Sequence, residues 1–170
     1  MTNEVDIIRN SLRETHVRFR ISPILWERYN DEIRLITNGE WHEVKFLDDA
    51  LSVSHELRTI PDDCGGIYSF IAKPDLIPGS HRYLFYIGRS KFTRHQNLRK
   101  RCNEYRNEDR FKLDEMINIW GKFLYIRYLP MRVDNDLIDR VEAELINAIL
   151  PPCNERIPDK TIRRAMPAFL

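Results

Sequence analysis

At Pro61-Asp62-Asp63 the hydrophobic pattern of this 170-residue chain changes its period, and that change restricts the fold more than any other feature. Before it, apolar residues recur at helical spacing. Val5, Ile8 and Leu12 predict one helix. Leu25, Tyr29, Ile33 and Ile36 predict a second, capped by Ser22, opened by Pro23 and stopped by Asn38-Gly39. Residues 41–47 read as a short strand and 49–57 as a short helix. After the turn come two β-rich runs, 65–72 and 83–89, joined by a polar loop with Pro74, Pro78 and Gly79. Residues 97–107 and 112–120 read as helices, and 122–129 as a third strand. Residues 137–150 form the clearest helix, ended by Pro151-Pro152. This order predicts an α+β fold: a small three-stranded, mostly antiparallel sheet flanked by helices. The predicted domain spans 61–155, preceded by a mainly helical extension over 1–60 and followed by a basic tail over 156–170.

Charge is unevenly spread although the net charge is only +1. Residues 1–66 hold 8 basic and 13 acidic side chains, whereas 89–127 hold 11 basic and 5 acidic. A polyanion would be drawn to the middle of the chain. The start would repel it unless its few arginines gather on one face. Cys64, Cys102 and Cys153 lack zinc-type spacing and read as reduced thiols. No apolar run is long enough to span a membrane and the first ten residues are polar, so a cytoplasmic protein is expected.

Three places carry possible chemistry. Tyr68 and Tyr86 lie in the two neighbouring strands, Tyr68 sharing a face with Gly66 and Phe70, and Tyr86 with Leu84 and Gly88. In an antiparallel hairpin both phenols reach one cleft, where glycines leave room for a ligand; the other reading is two β-forming core residues. Leu98, Arg101, Cys102 and Tyr105 share one side of a helix. An arginine turned inward there either forks onto a phosphate or closes a structural ion pair. Glu142 falls inside the apolar stripe Ile138, Val141, Leu145 and Ile149, with Glu144 on the opposite, polar side. A carboxylate on a core-facing stripe is costly unless it is paired, as with Arg101, or holds a cation.

These residues, in this order, resemble the GIY-YIG nuclease family, through Gly66-Ile67-Tyr68 and Tyr86-Ile87-Gly88. The stretch 86–91, then Leu98-Arg99-Lys100-Arg101 and Tyr105, is similar to the nuclease domain of the bacterial excision-repair incision subunit. The segment 141–146, continuing to Pro151 and Asn154, is similar to that family's glutamate helix and closing asparagine. The hairpin loop is longer than in the minimal family domain, and Arg89 stands where lysine is commoner.

The resemblance implies an endonuclease that hydrolyses DNA with Mg²⁺ or Mn²⁺ held by Glu142 alone. It implies Arg101 on a phosphate oxygen, a tyrosine as general base, and Tyr105 in support. Tyr68 is the preferred base, with Tyr86 orienting it. Arg89, Lys91, Arg99, Lys100 and Asn154 are expected to contact nucleic acid or shape the cleft. A double-strand cutter with one site per chain would form a homodimer, with the acidic start as the candidate contact. The competing reading is a catalytically silent or partner-regulated nucleic-acid-binding module.

Overall fold

The structure, a computed structural model, describes residues 3–14, 16–107 and 110–166. Its elements are α1 (Glu4–Glu14), α2 (Pro23–Glu27), α3 (Asp31–Thr37), β1 (His42–Lys45), β2 (Gly65–Ala72), β3 (Tyr83–Ser90), α4 (Leu98–Glu104), α5 (Phe111–Trp120), β4 (Leu124–Met131), α6 (Asn135–Ile149) and α7 (Lys160–Ala165).

The predicted three-stranded sheet has a fourth strand. The order is β1-β4-β2-β3, with every neighbour antiparallel. The extra strand comes from the N-terminal extension, whose Val44 pairs with Ile126 of β4. Within the strand expected over 41–47, His42–Lys45 do form one, as a sheet edge.

The expected helix over 22–37 is two helices. The Asn30 side chain accepts hydrogen bonds from the Glu32 and Ile33 N–H groups at 2.9 and 3.2 Å, which starts α3 afresh. Ser22 makes no side-chain cap. Residues 49–57 are not a helix either. Asp48 Oδ1 accepts from the N–H groups of Ala50 and Ser52, both at 2.9 Å, and ties a tight loop closed by the Leu47–Val53 pairing. A single 3-10 turn, His55–Thr59, follows, capped by Ser54.

Two apolar layers sandwich the sheet. Tyr68, Phe70, Tyr86, Ile126 and Tyr128 face α4, α5 and the N-terminal loop through Leu98, Cys102, Tyr105, Leu113 and Phe46. Ile67, Ile87, Leu129 and Met131 face α6 through Ile138, Val141, Leu145 and Ile146. Ile33 of α3 belongs to that second layer, with Leu25 and Tyr29 packed against it. Glu144, expected on the polar side of α6, therefore lines a hollow with Leu25, Arg28 and Tyr29. By contrast Val5, Ile8 and Leu12 of α1 are exposed. All three cysteines are buried and free, and burial pushes the Cys153 thiol up to about 11. No helix among the described residues is long and apolar enough to cross a membrane.

One irregularity sets the tyrosines. Phe70 pairs with Tyr86, yet Ile71 pairs with Leu84, so Phe85 is skipped. The bulge puts Phe85 and Tyr86 in the same apolar layer and sends Leu84 to the opposite one. The strict alternation that placed Leu84 beside Tyr86 fails for this reason.

Candidate active site

Tyr68 and Tyr86 stand on one face of the hairpin, Tyr68 opposite Gly88 and Tyr86 opposite Phe70. Gly88 leaves room, but for Tyr68 rather than for a ligand. A Cβ there would lie 2.6 Å from the Tyr68 hydroxyl and 2.7 Å from its Cζ. The Tyr68 hydroxyl meets that of Tyr105 at 2.8 Å. Arg101 binds both, donating from Nε to Tyr68 at 3.2 Å and from Nη2 to Tyr105 at 3.3 Å, while its Nη1 reaches Glu104 at 3.0 Å. The inward arginine is thus an internal clasp on two phenols and a carboxylate. Its own burial opposes its charge, but the Tyr68 and Tyr105 phenols and Glu104 more than offset this, so it stays protonated.

Burial, then the neighbouring Tyr105 and Tyr86 hydroxyls, holds the Tyr68 phenol well above the usual range, with Arg101 opposing. Tyr105 is likewise raised, first by burial and then by Tyr86. Tyr68 is 1% exposed. It is a poor proton acceptor in this setting.

Tyr86 stands differently. It lines a cleft of about 460 Å³ with Arg89, Arg110, Asp139, Glu142, Asn154 and Arg156. Arg110 Nη1 lies 3.5 Å from the Tyr86 hydroxyl. The cleft opens along β3, the sheet edge, where α6 passes beside it.

Glu142 points into that cleft with 18% of its side chain exposed. Its ion-pair partner is Arg89, with Nη1 at 3.0 Å from Oε2, and not Arg101. The Arg89 Nε binds Asp139, and Lys91 Nζ reaches the same carboxylate at 2.7 Å. Arg89 and Lys91 therefore bridge the sheet edge to α6. Burial raises the Glu142 carboxyl above its ordinary range, with Asp139 adding to this and Arg89 and Arg101 opposing. Asp139 goes the other way: burial works against its charge, but the bonds from Arg89 and Lys91 prevail and lower it.

Three further residues expected to contact nucleic acid have internal partners. Arg99 donates from Nε to the Ile60 carbonyl at 2.6 Å and from Nη1 to Asp62 at 2.7 Å. Lys100, on an exposed face, donates to the His95 carbonyl at 2.7 Å. Asn154 grips the backbone of Ile87 on the free edge of β3, accepting from its N–H at 2.9 Å and donating to its carbonyl at 2.8 Å.

Asp139 and Arg110 escaped the sequence reading. Asp139 lies three residues before Glu142, the spacing that puts two side chains on one helix face, so the signal was present. Arg110 precedes α5 and carried no comparable signal.

Among the described residues no cluster of three or more metal-ligating side chains exists. Glu142 with Asp139 offers two carboxylates beside an open cleft. Sparse oxygen ligation of this kind suits a hard divalent ion such as Mg²⁺, which retains several waters. No family model matches the sequence, and no curated protein or solved structure matches the chain.

Proposed function

We propose that the chain is a metal-dependent endonuclease of the GIY-YIG type that hydrolyses phosphodiester bonds of DNA. One observation carries the reading: a partly buried Glu142 carboxylate faces a cleft that also presents Tyr86, Arg89 and Arg110. A carboxylate kept in so costly a setting, beside cations and a phenol, suits phosphoryl chemistry better than it suits packing.

Glu142, with Asp139 beside it, would hold Mg²⁺ or Mn²⁺. When bound, such an ion supplies Lewis-acid stabilisation of charge on the phosphate and the leaving oxygen. Arg89 favours the ionised form of Glu142 and so keeps it ready to ligate. Arg110 and Arg156 line the cleft and offer guanidinium forks to non-bridging oxygens. Tyr86 on the cleft wall would position the attacking water and, as its phenolate, take the proton to become the phenol. Tyr68, Tyr105 and Arg101 act behind it as a rigid support. This reverses the roles that the sequence suggested for the two strand tyrosines. Cutting both strands of a duplex needs two such sites, so a dimer on DNA is the expected assembly.

Supercoiled plasmid incubated with the protein in Mg²⁺, in EDTA, and with Glu142→Ala tests the reading. Metal-dependent cutting that disappears in the variant supports it. A second reading, a binding module without catalysis, is favoured by the Arg89 and Lys91 pairing that already neutralises both carboxylates. Tight DNA binding with no cutting in Mg²⁺ or Mn²⁺ would select it.

A further inference from the structure

Residues 16–20, His-Val-Arg-Phe-Arg, lie between α1 and α2, with Phe19 in one hollow, His16, Arg18 and Arg20 in another, and Val17 on both. Val17 and Phe19 line an apolar groove with Tyr83, Phe85 and Trp120. The Phe19 ring centre lies 5.7 Å from that of Phe85 and 6.0 Å from that of Tyr83. These contacts seat the segment as a strap on the sheet end.

His16, Arg18 and Arg20 line an adjoining hollow of about 340 Å³ with Lys112, Pro152 and Cys153, and Val17 and Trp120 wall both hollows. Glu115 is the single acid in its wall. Cys153 also lines the cleft of Tyr86 and Glu142, so the two hollows are neighbours that share this residue as a wall. Arg18 and Arg20, two arginines of an otherwise acidic N-terminal segment, thus stand on one side, next to the cleft.

Their pairing separates them from the cations named by motif. Arg89, Lys91, Arg99 and Arg101 each hold a carboxylate. Arg18, Arg20 and Lys112 form no ion pair among the described residues, and Arg18 and Arg20 are exposed. A polyanion that binds them displaces only counterions and breaks no internal bond.

We propose that the strap is a second nucleic-acid contact, in which Arg18 and Arg20, with Lys112, hold the phosphodiester backbone where it leaves the cleft. The proposal rests on the nuclease reading for the identity of the polyanion. A membrane surface is the less favoured partner, because the basic hollow adjoins a concave cleft rather than a flat face.

The test is binding of a short fluorescein-labelled DNA duplex in EDTA, followed by anisotropy over a range of salt. Each lost phosphate contact lowers the slope of log K against log salt by about 0.9, so Arg18→Gln/Arg20→Gln is expected to lower it by about 1.8. Arg28→Gln/Arg58→Gln removes the same charge from two exposed arginines that line neither hollow, and is expected to leave the slope nearly unchanged. Equal losses in the two pairs, or no loss in the first, would overturn the strap while leaving the nuclease reading intact. A wild-type chain that binds phosphatidylserine vesicles but no duplex would overturn both.

Discussion

The carboxamide of Asn154 closes on the backbone of Ile87 with both its groups, Oδ1 to the N–H at 2.9 Å and Nδ2 to the carbonyl at 2.8 Å. Together with the Cys153 N–H bond to the Phe85 carbonyl at 2.9 Å, it takes the place of a neighbouring strand on the free edge of β3. Asn154→Ala removes two bonds from a half-buried strand that carries Tyr86. Urea unfolding is expected to show a loss of about 2 kcal/mol. An unchanged midpoint would mean that the Cys153 bond alone covers the edge.

Gly88 is required by the Tyr68 ring and not by a ligand. In Gly88→Ala the new methyl must displace a ring that is 1% exposed and hydrogen-bonded to Tyr105 and Arg101. Overpacking of this kind costs about 1–3 kcal/mol, readable as a lower thermal midpoint. A variant as stable as the parent would contradict the close approach.

The two strand tyrosines are expected to fail differently. Tyr86→Phe, under the proposed function, loses the phenol on the cleft wall and should slow cleavage by about 10²- to 10⁴-fold. Its stability should hardly change. Tyr68→Phe deprives the buried Tyr105 hydroxyl and Arg101 Nε of a partner and is expected to cost about 1 kcal/mol of stability, with the smaller loss of rate. Single-turnover cleavage beside urea melts separates the two, and a larger rate loss in Tyr68→Phe would restore Tyr68 as the base.

Asp139 and Glu142 lie one turn apart, yet their pH effects should be opposite in sign. The folded pKa of Asp139 is lowered, so its charge stabilises the fold above the ordinary aspartate range, and that contribution is lost as pH falls through the folded value. The folded pKa of Glu142 is raised, so its ionisation subtracts stability as pH rises through the ordinary glutamate range to the folded value. At neutral pH, Asp139→Asn should lower the melting temperature and Glu142→Gln should raise it. Both differences should fade in acid, and matching signs at neutral pH would refute the assignment.

Legibility in the sequence followed the range of the interactions. The spans of β2, β3 and α6, and the awkward place of Glu142 on α6, depend on local periodicity and were readable. The partner of Glu142 was not, because the choice of Arg89 over Arg101 depends on how β3 lies against α6. The break at Asn30 had a local signal, a capping residue before Asp31 and Glu32, but the apolar stripe running through it masked the cap. β1 was readable as a strand, while its place beside β4 is a long-range pairing that no local pattern encodes.

The skipped residue Phe85 gives β3 two independent phases. Below it, Phe70–Tyr86 and Tyr68–Gly88 set how the tyrosines face; above it, Ile71–Leu84 and Ala72–Tyr83 keep their own register. The bulge thus absorbs one residue between the pairings that face the tyrosines and those that hold the turn over 73–82, whose ends Lys73 and Arg82 fasten to Glu43 of β1. The tyrosines of the cleft side therefore take their facing from the short pairing below the bulge and not from the length of the turn.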